Sequence, residues 1–94
     1  MDAAKRELME ETGFGGGKWQ KWMTISANPS THTNLTHCYL AMDVERMDVQ
    51  HLDQAEDIEV RLFSREKVMD MLEKGEIWQS LMAAPLWKYF AKAK

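Results

Sequence analysis

Three glutamates, Glu7, Glu10 and Glu11, are the residues of this chain whose type and spacing point most directly to chemistry. In a helix they stand at i, i+3 and i+4 and share one face. Like charges at that spacing cost a few tenths of a kcal/mol per pair, roughly, and a bound divalent cation would offset that cost. A cluster of hard oxygen donors suits Mg²⁺ or Mn²⁺, whereas zinc would call for paired cysteines or spaced histidines that the chain lacks. Arg6 lies four residues before Glu10 and can brace its carboxylate. On spacing alone the simpler reading is that these acids are the solvated face of an amphipathic helix.

The elements that must position them follow from periodicity and breakers. Ala4 and Leu8 repeat on one side of a segment from Asp2 to Thr12, and Gly13 supplies a left-handed stop. Gly15, Gly16 and Gly17 read as a flexible connection to an aromatic-rich strand from about Trp19 to Ser26, which Asn28-Pro29-Ser30 breaks. Leu35 to Val44 reads as a strand covered on both faces, with Cys38 a buried thiol. After a polar stretch from Glu45 to Asp57, Ile58, Val60 and Leu62 alternate with Glu59, Arg61 and Phe63 as a third strand. Ser64 is an N-cap for a helix that buries Val68, Met71 and Leu72 and stops at Gly75. A last helix runs from Ile77 to Ala93, with Leu81, Ala84, Leu86, Trp87 and Phe90 for burial and Pro85 kinking or restarting it. The expected fold class is α+β in a single domain, 1–94, with a small mixed sheet flanked by helices.

Composition narrows the function classes. Hydrophobic residues at 45% and charged ones at 29% describe a globular chain. A net charge of −3, with its Lys and Arg scattered, gives no electrostatic footprint for nucleic acid or acidic lipid. The single cysteine suits a reducing compartment, and neither a spanning segment nor a signal sequence is evident, so a cytoplasmic protein is expected. Ser26, Ser30 and Thr31 near His32 and His37 lack an ordered third group and are assigned no catalysis. Of the eight methionines, Met23, Met42, Met69, Met71 and Met82 lie in apolar patterns and read as core filler. The four tryptophans read as packing groups, although Trp19 or Trp22 could stack on an adenine in a pocket assembled by a partner.

The string Arg6-Glu7-Leu8-Met9-Glu10-Glu11-Thr12-Gly13-Phe14 resembles the second half of the signature box of Nudix hydrolases, and it meets every fixed position of that half. Asn28-Pro29, the run from Leu52 to Val60 and Gly75-Glu76-Ile77 are similar to the branch acting on ADP-ribose and nucleoside diphosphate sugars. The resemblance implies a partial α/β/α sandwich and Mg²⁺ (or Mn²⁺) held by Glu7, Glu10 and Glu11. It further implies that Arg6 orients those ligands, and that Glu56 acts as a base or further metal ligand beside Glu10 and Arg6 in the catalytic set. The implied substrate is a small molecule with a nucleoside diphosphate link.

The first half of the box has no counterpart, since only Met1 to Lys5 precede Arg6. The expectation is therefore a chain truncated within its box and lacking the family's N-terminal strands. Two functions follow: a diphosphohydrolase, or a catalytically inactive remnant that persists as a homo-oligomeric module. Unpaired strand edges in so small a domain favour a homodimer in either case, with Trp19, Trp22, Leu40, Trp87 and Phe90 as contact candidates.

Overall fold

A computed structural model of the chain describes residues 1–26, 35–52, 57–78 and 80–92. In chain order the elements are helix α1 (Asp2–Thr12), strands β1 (Phe14–Gly15), β2 (Lys18–Ser26), β3 (Leu35–Met42) and β4 (Glu45–Arg46), and helices α2 (Arg65–Glu73) and α3 (Ser80–Lys92). The architecture is α+β, as the order of segments implies. Its described strands form two two-stranded sheets, β1 with β4 and β2 with β3. The β1–β4 pair is antiparallel, with Phe14 opposite Arg46 and Gly15 opposite Glu45. Two compact units divide the chain, one of Met1–Lys21 with Tyr39–Arg61 and one of Trp22–Cys38 with Leu62–Lys94.

In the first unit α1 has the bounds that its periodicity predicts, and it packs against β1. Met1 provides no side-chain cap, but its carbonyl accepts from the Lys5 amide at 3.1 Å. Thr12 Oγ1 donates to the Leu8 carbonyl (2.6 Å) and accepts from the Phe14 amide (3.0 Å), turning the chain out of the helix. The sequence reading missed β1 and β4. A two-residue pairing is a coincidence of backbone positions far apart in sequence, and it leaves no periodicity to find.

The second unit holds the buried apolar side chains among the described residues, Trp22 (8% exposed) and Leu72 (5%). The Trp22 indole N–H donates to the Pro85 carbonyl at 2.9 Å, and Lys88 Nζ donates to the Trp22 carbonyl while lying 4.5 Å from its ring centroid. Trp22 is thus held within its own chain rather than offered to a dimer contact. Ser64 caps α2 by accepting from the Lys67 amide at 3.1 Å. The other end closes as a Schellman turn, with Gly75 (φ 76°) donating to the Leu72 carbonyl and Glu76 to that of Met71. Helix α3 packs on α2 and is continuous through Pro85, a position that removes one ladder hydrogen bond.

Several expectations change. Residues 57–64 form no strand. Alternation specifies a strand only where a neighbour and a covering layer meet it, and here Leu62 is 79% exposed and Phe63 48%. The Ile58 carbonyl accepts instead from the Gln50 side chain at 3.1 Å. Strand β3 is half-buried at most, Cys38 included, so it is not a strand covered on both faces. Trp87, expected to be buried, is 44% exposed. No helix among the described residues is long and apolar enough to cross a membrane.

Candidate functional site on helix α1

The candidate site is the face of α1 that carries Glu7, Glu10 and Glu11. A regular helix of this length brings the three to one side, as their spacing requires. Glu7 and Glu10 are exposed and Glu11 is half-buried, while Ala4 and Leu8 are half-buried toward the rest of the unit. Arg6 Nε stands 4.0 Å from Glu10 Oε1, the i, i+4 pairing that the sequence suggests. Both side chains are more than half exposed, so the pair adds little stability. Among the described residues no three His, Cys, Asp or Glu side chains converge closely enough to enclose a metal ion. The glutamates form an open face rather than a closed coordination set. Their chemistry fits a hydrated hard cation, since they are oxygen donors alone.

The C-terminal turn of this helix is fixed from outside it, by residues that sequence reasoning did not single out. The last carbonyls of a helix have no intrahelical partner. Here the Glu10 carbonyl accepts from the His51 amide at 2.7 Å and that of Glu11 from Gln50 Nε2 at 2.7 Å. Gly13 accepts from the amides of Met47 (2.8 Å) and Asp48 (3.1 Å) and donates to the Met9 carbonyl at 2.8 Å. Its φ of 79° is left-handed, and a Cβ at this position would overlap the Asp48 carbonyl oxygen. The glycine of the signature string is therefore required twice, by conformation and by close approach.

The segment that does this pinning is held by its own polar contacts. Asp48 Oδ1 accepts from the Val49 amide at 2.8 Å, and Oδ2 lies 3.1 Å from His51 Nε2. The backbone hydrogen bond from Val49, and then that from His51, hold the Asp48 carboxyl below its ordinary value of 3.8. A short polar run such as Asp48-Val49-Gln50-His51 carries little sequence signal beyond the i, i+3 placement of Asp48 and His51.

Against this geometry, one similarity to a characterised protein stands out. The chain resembles a pyrophosphatase. It is 31% identical over 75 residues to GDP-mannose pyrophosphatase of Enterobacter sp. (strain 638), a stretch covering 78% of this chain and 39% of that protein. The chain thus spans about two fifths of the length of the relative it matches. The match supports a Nudix-like resemblance. No protein-family profile matches the chain.

The other positions implied by the resemblance are reached unevenly. Glu56 and Asn28-Pro29 lie outside the described residues, as do Ser30, Thr31 and His32. In the second unit His37 Nδ1 shares a hydrogen bond with Thr24 Oγ1 at 3.2 Å.

Proposed function

We propose that the chain belongs to a Mg²⁺-dependent hydrolase that cleaves the diphosphate link of a nucleoside diphosphate derivative of the ADP-ribose or sugar-nucleotide type. The observation that carries this reading is the open face of Glu7, Glu10 and Glu11 on a helix whose string resembles the second half of the Nudix box, in a chain similar to a GDP-mannose pyrophosphatase. Glu7, Glu10 and Glu11 would hold the cation, and Arg6 would keep Glu10 in register through their pairing. A bound Mg²⁺ supplies charge neutralisation on the phosphates and a more acidic water. Glu56 is the proposed base or additional ligand. The net reaction adds one water across the P–O–P bridge, breaks one P–O bond and leaves two phosphomonoesters.

The test is hydrolysis of GDP-mannose and ADP-ribose with and without Mg²⁺, following nucleoside monophosphate by chromatography. Metal-dependent product that disappears in Glu10→Gln supports the reading. Product that persists unchanged in Glu10→Gln overturns it.

A second reading concerns assembly. Trp22 and Leu72 are the buried large apolar side chains among the described residues, whereas Leu62, Trp78, Trp87 and Met82 are 44–82% exposed. That is a thin core for a folded domain. We therefore propose a homodimer, with Trp87 rather than Trp22 among its contacts. Light scattering at micromolar concentration should give twice the 11.0 kDa of one chain. A monodisperse 11.0 kDa particle would refute it.

A further inference from the structure

The first unit contains a cleft of about 190 Å³ lined by Lys5, Met9, Gly15, Gly16, Gly17 and Trp19. It is not the carboxylate face. Met9 is two residues from both Glu7 and Glu11, and Lys5 two from Glu7, which is about 200° round a helix of 3.6 residues per turn. The cleft therefore opens away from Glu7 and Glu11, and none of its lining side chains is acidic.

Three features of the cleft select a ligand class. The Trp19 indole is fixed in place, because its N–H donates to the Gly16 carbonyl at 2.8 Å, so one large π-surface is presented without a conformational search. Lys5 Nζ lies 6.0 Å from the Trp19 ring centroid, at the outer limit of a cation–π contact. An ammonium held that loosely can turn to an anion at the rim. The Met9 thioether adds a soft apolar wall suited to an aromatic ring. The volume is below the roughly 300–1,000 Å³ of sites that enclose drug-sized ligands, so the cleft takes one planar ring system and leaves the rest outside.

We propose that this cleft is a binding site for a nucleoside monophosphate, with the base against Trp19 and Met9 and the phosphate on Lys5. The site is separate from the metal face and does not depend on hydrolase activity.

The experiment is titration of the purified chain with GMP, guanosine and inorganic phosphate in metal-free buffer, followed by calorimetry and by amide and indole N–H chemical shifts. GMP binds and shifts the signals of Lys5, Gly16, Gly17 and the Trp19 indole. Guanosine and phosphate each bind roughly fivefold or more weakly, because each lacks one of the two contacts. Lys5→Gln weakens GMP roughly fivefold and leaves guanosine unchanged. Trp19→Ala weakens both, and Trp19→Phe, which keeps a ring but loses the indole N–H bond to the Gly16 carbonyl, recovers part of the affinity. Glu10→Gln, which tests the proposed hydrolytic site, leaves GMP binding unaltered. Guanosine binding as tightly as GMP, shifts confined to Glu7 and Glu11, or Trp19→Phe binding no better than Trp19→Ala would each overturn the proposal.

Discussion

Replacing Gly13 by alanine should cost far more than the same change at another left-handed glycine. Both Gly13 (φ 79°) and Gly75 (φ 76°) occupy the region that L-residues avoid, at a cost of about 1–2 kcal/mol. At Gly75 a Cβ would meet nothing within 4 Å, so that cost is the whole effect. At Gly13 the new Cβ would overlap the Asp48 carbonyl oxygen and approach its carbon to 3.0 Å, so backbone must move. Movement there breaks the two hydrogen bonds from Met47 and Asp48 to the Gly13 carbonyl, each worth about 0.5–1.5 kcal/mol net. The sum is about 2–5 kcal/mol, a large part of the stability of a small domain. Urea denaturation followed by circular dichroism gives the two differences directly. Hydrogen exchange at Met47, Asp48 and His51 should accelerate in Gly13→Ala and not in Gly75→Ala. Equal destabilisation by the two substitutions would refute the claim that close approach, and not conformation alone, fixes this glycine.

Mn²⁺ should bind weakly to the chain without substrate, and Glu10→Gln or Glu11→Gln should abolish the calorimetric signal, since an open oxygen face completes its shell with water. Unchanged affinity in both variants would place the cation elsewhere. Because the Asp48 carboxyl titrates below its ordinary value, its contribution to the 47–51 segment is present above about pH 4 and is lost as the pH falls through the lowered value. Asp48→Asn should flatten that acid-side loss, read from the His51 amide shift, and an unchanged acid profile would exclude the Asp48 contacts as its source. Ser64→Ala removes the acceptor for the Lys67 amide and should destabilise the fold by about 1 kcal/mol in urea, whereas Ser64→Asp should retain most of the stability.

Helix α1 and the Ser64-to-Gly75 helix were legible in the sequence because their signals are local. Apolar spacing, a capping hydroxyl and a left-handed stop all lie within one element. The shared face of Glu7, Glu10 and Glu11 followed from the same locality. What pins that face did not, since the bonds from Gln50 and His51 join residues remote in sequence. Residues 58–63 show the converse failure: the alternation is clear, but strand formation depends on a neighbour that no local pattern supplies. Pro85 was legible only in part. Of the kink or restart that the sequence allowed there, the restart is excluded, since the helix is continuous, and its proline carbonyl receives the Trp22 indole, a gain visible only in tertiary context.

The staple on α1 also sets an order of events during synthesis. An eleven-residue helix is marginal in water by itself, and its last turn waits for donors 39 positions downstream at Gln50. At about 5–20 residues per second, the ribosome delivers those donors roughly 2–8 s after the helix has been made. The carboxylate face should therefore fluctuate on the nascent chain until residues 47–51 have been made and can fold back, and a chain arrested before Met47 should carry the three glutamates without the geometry that aligns them.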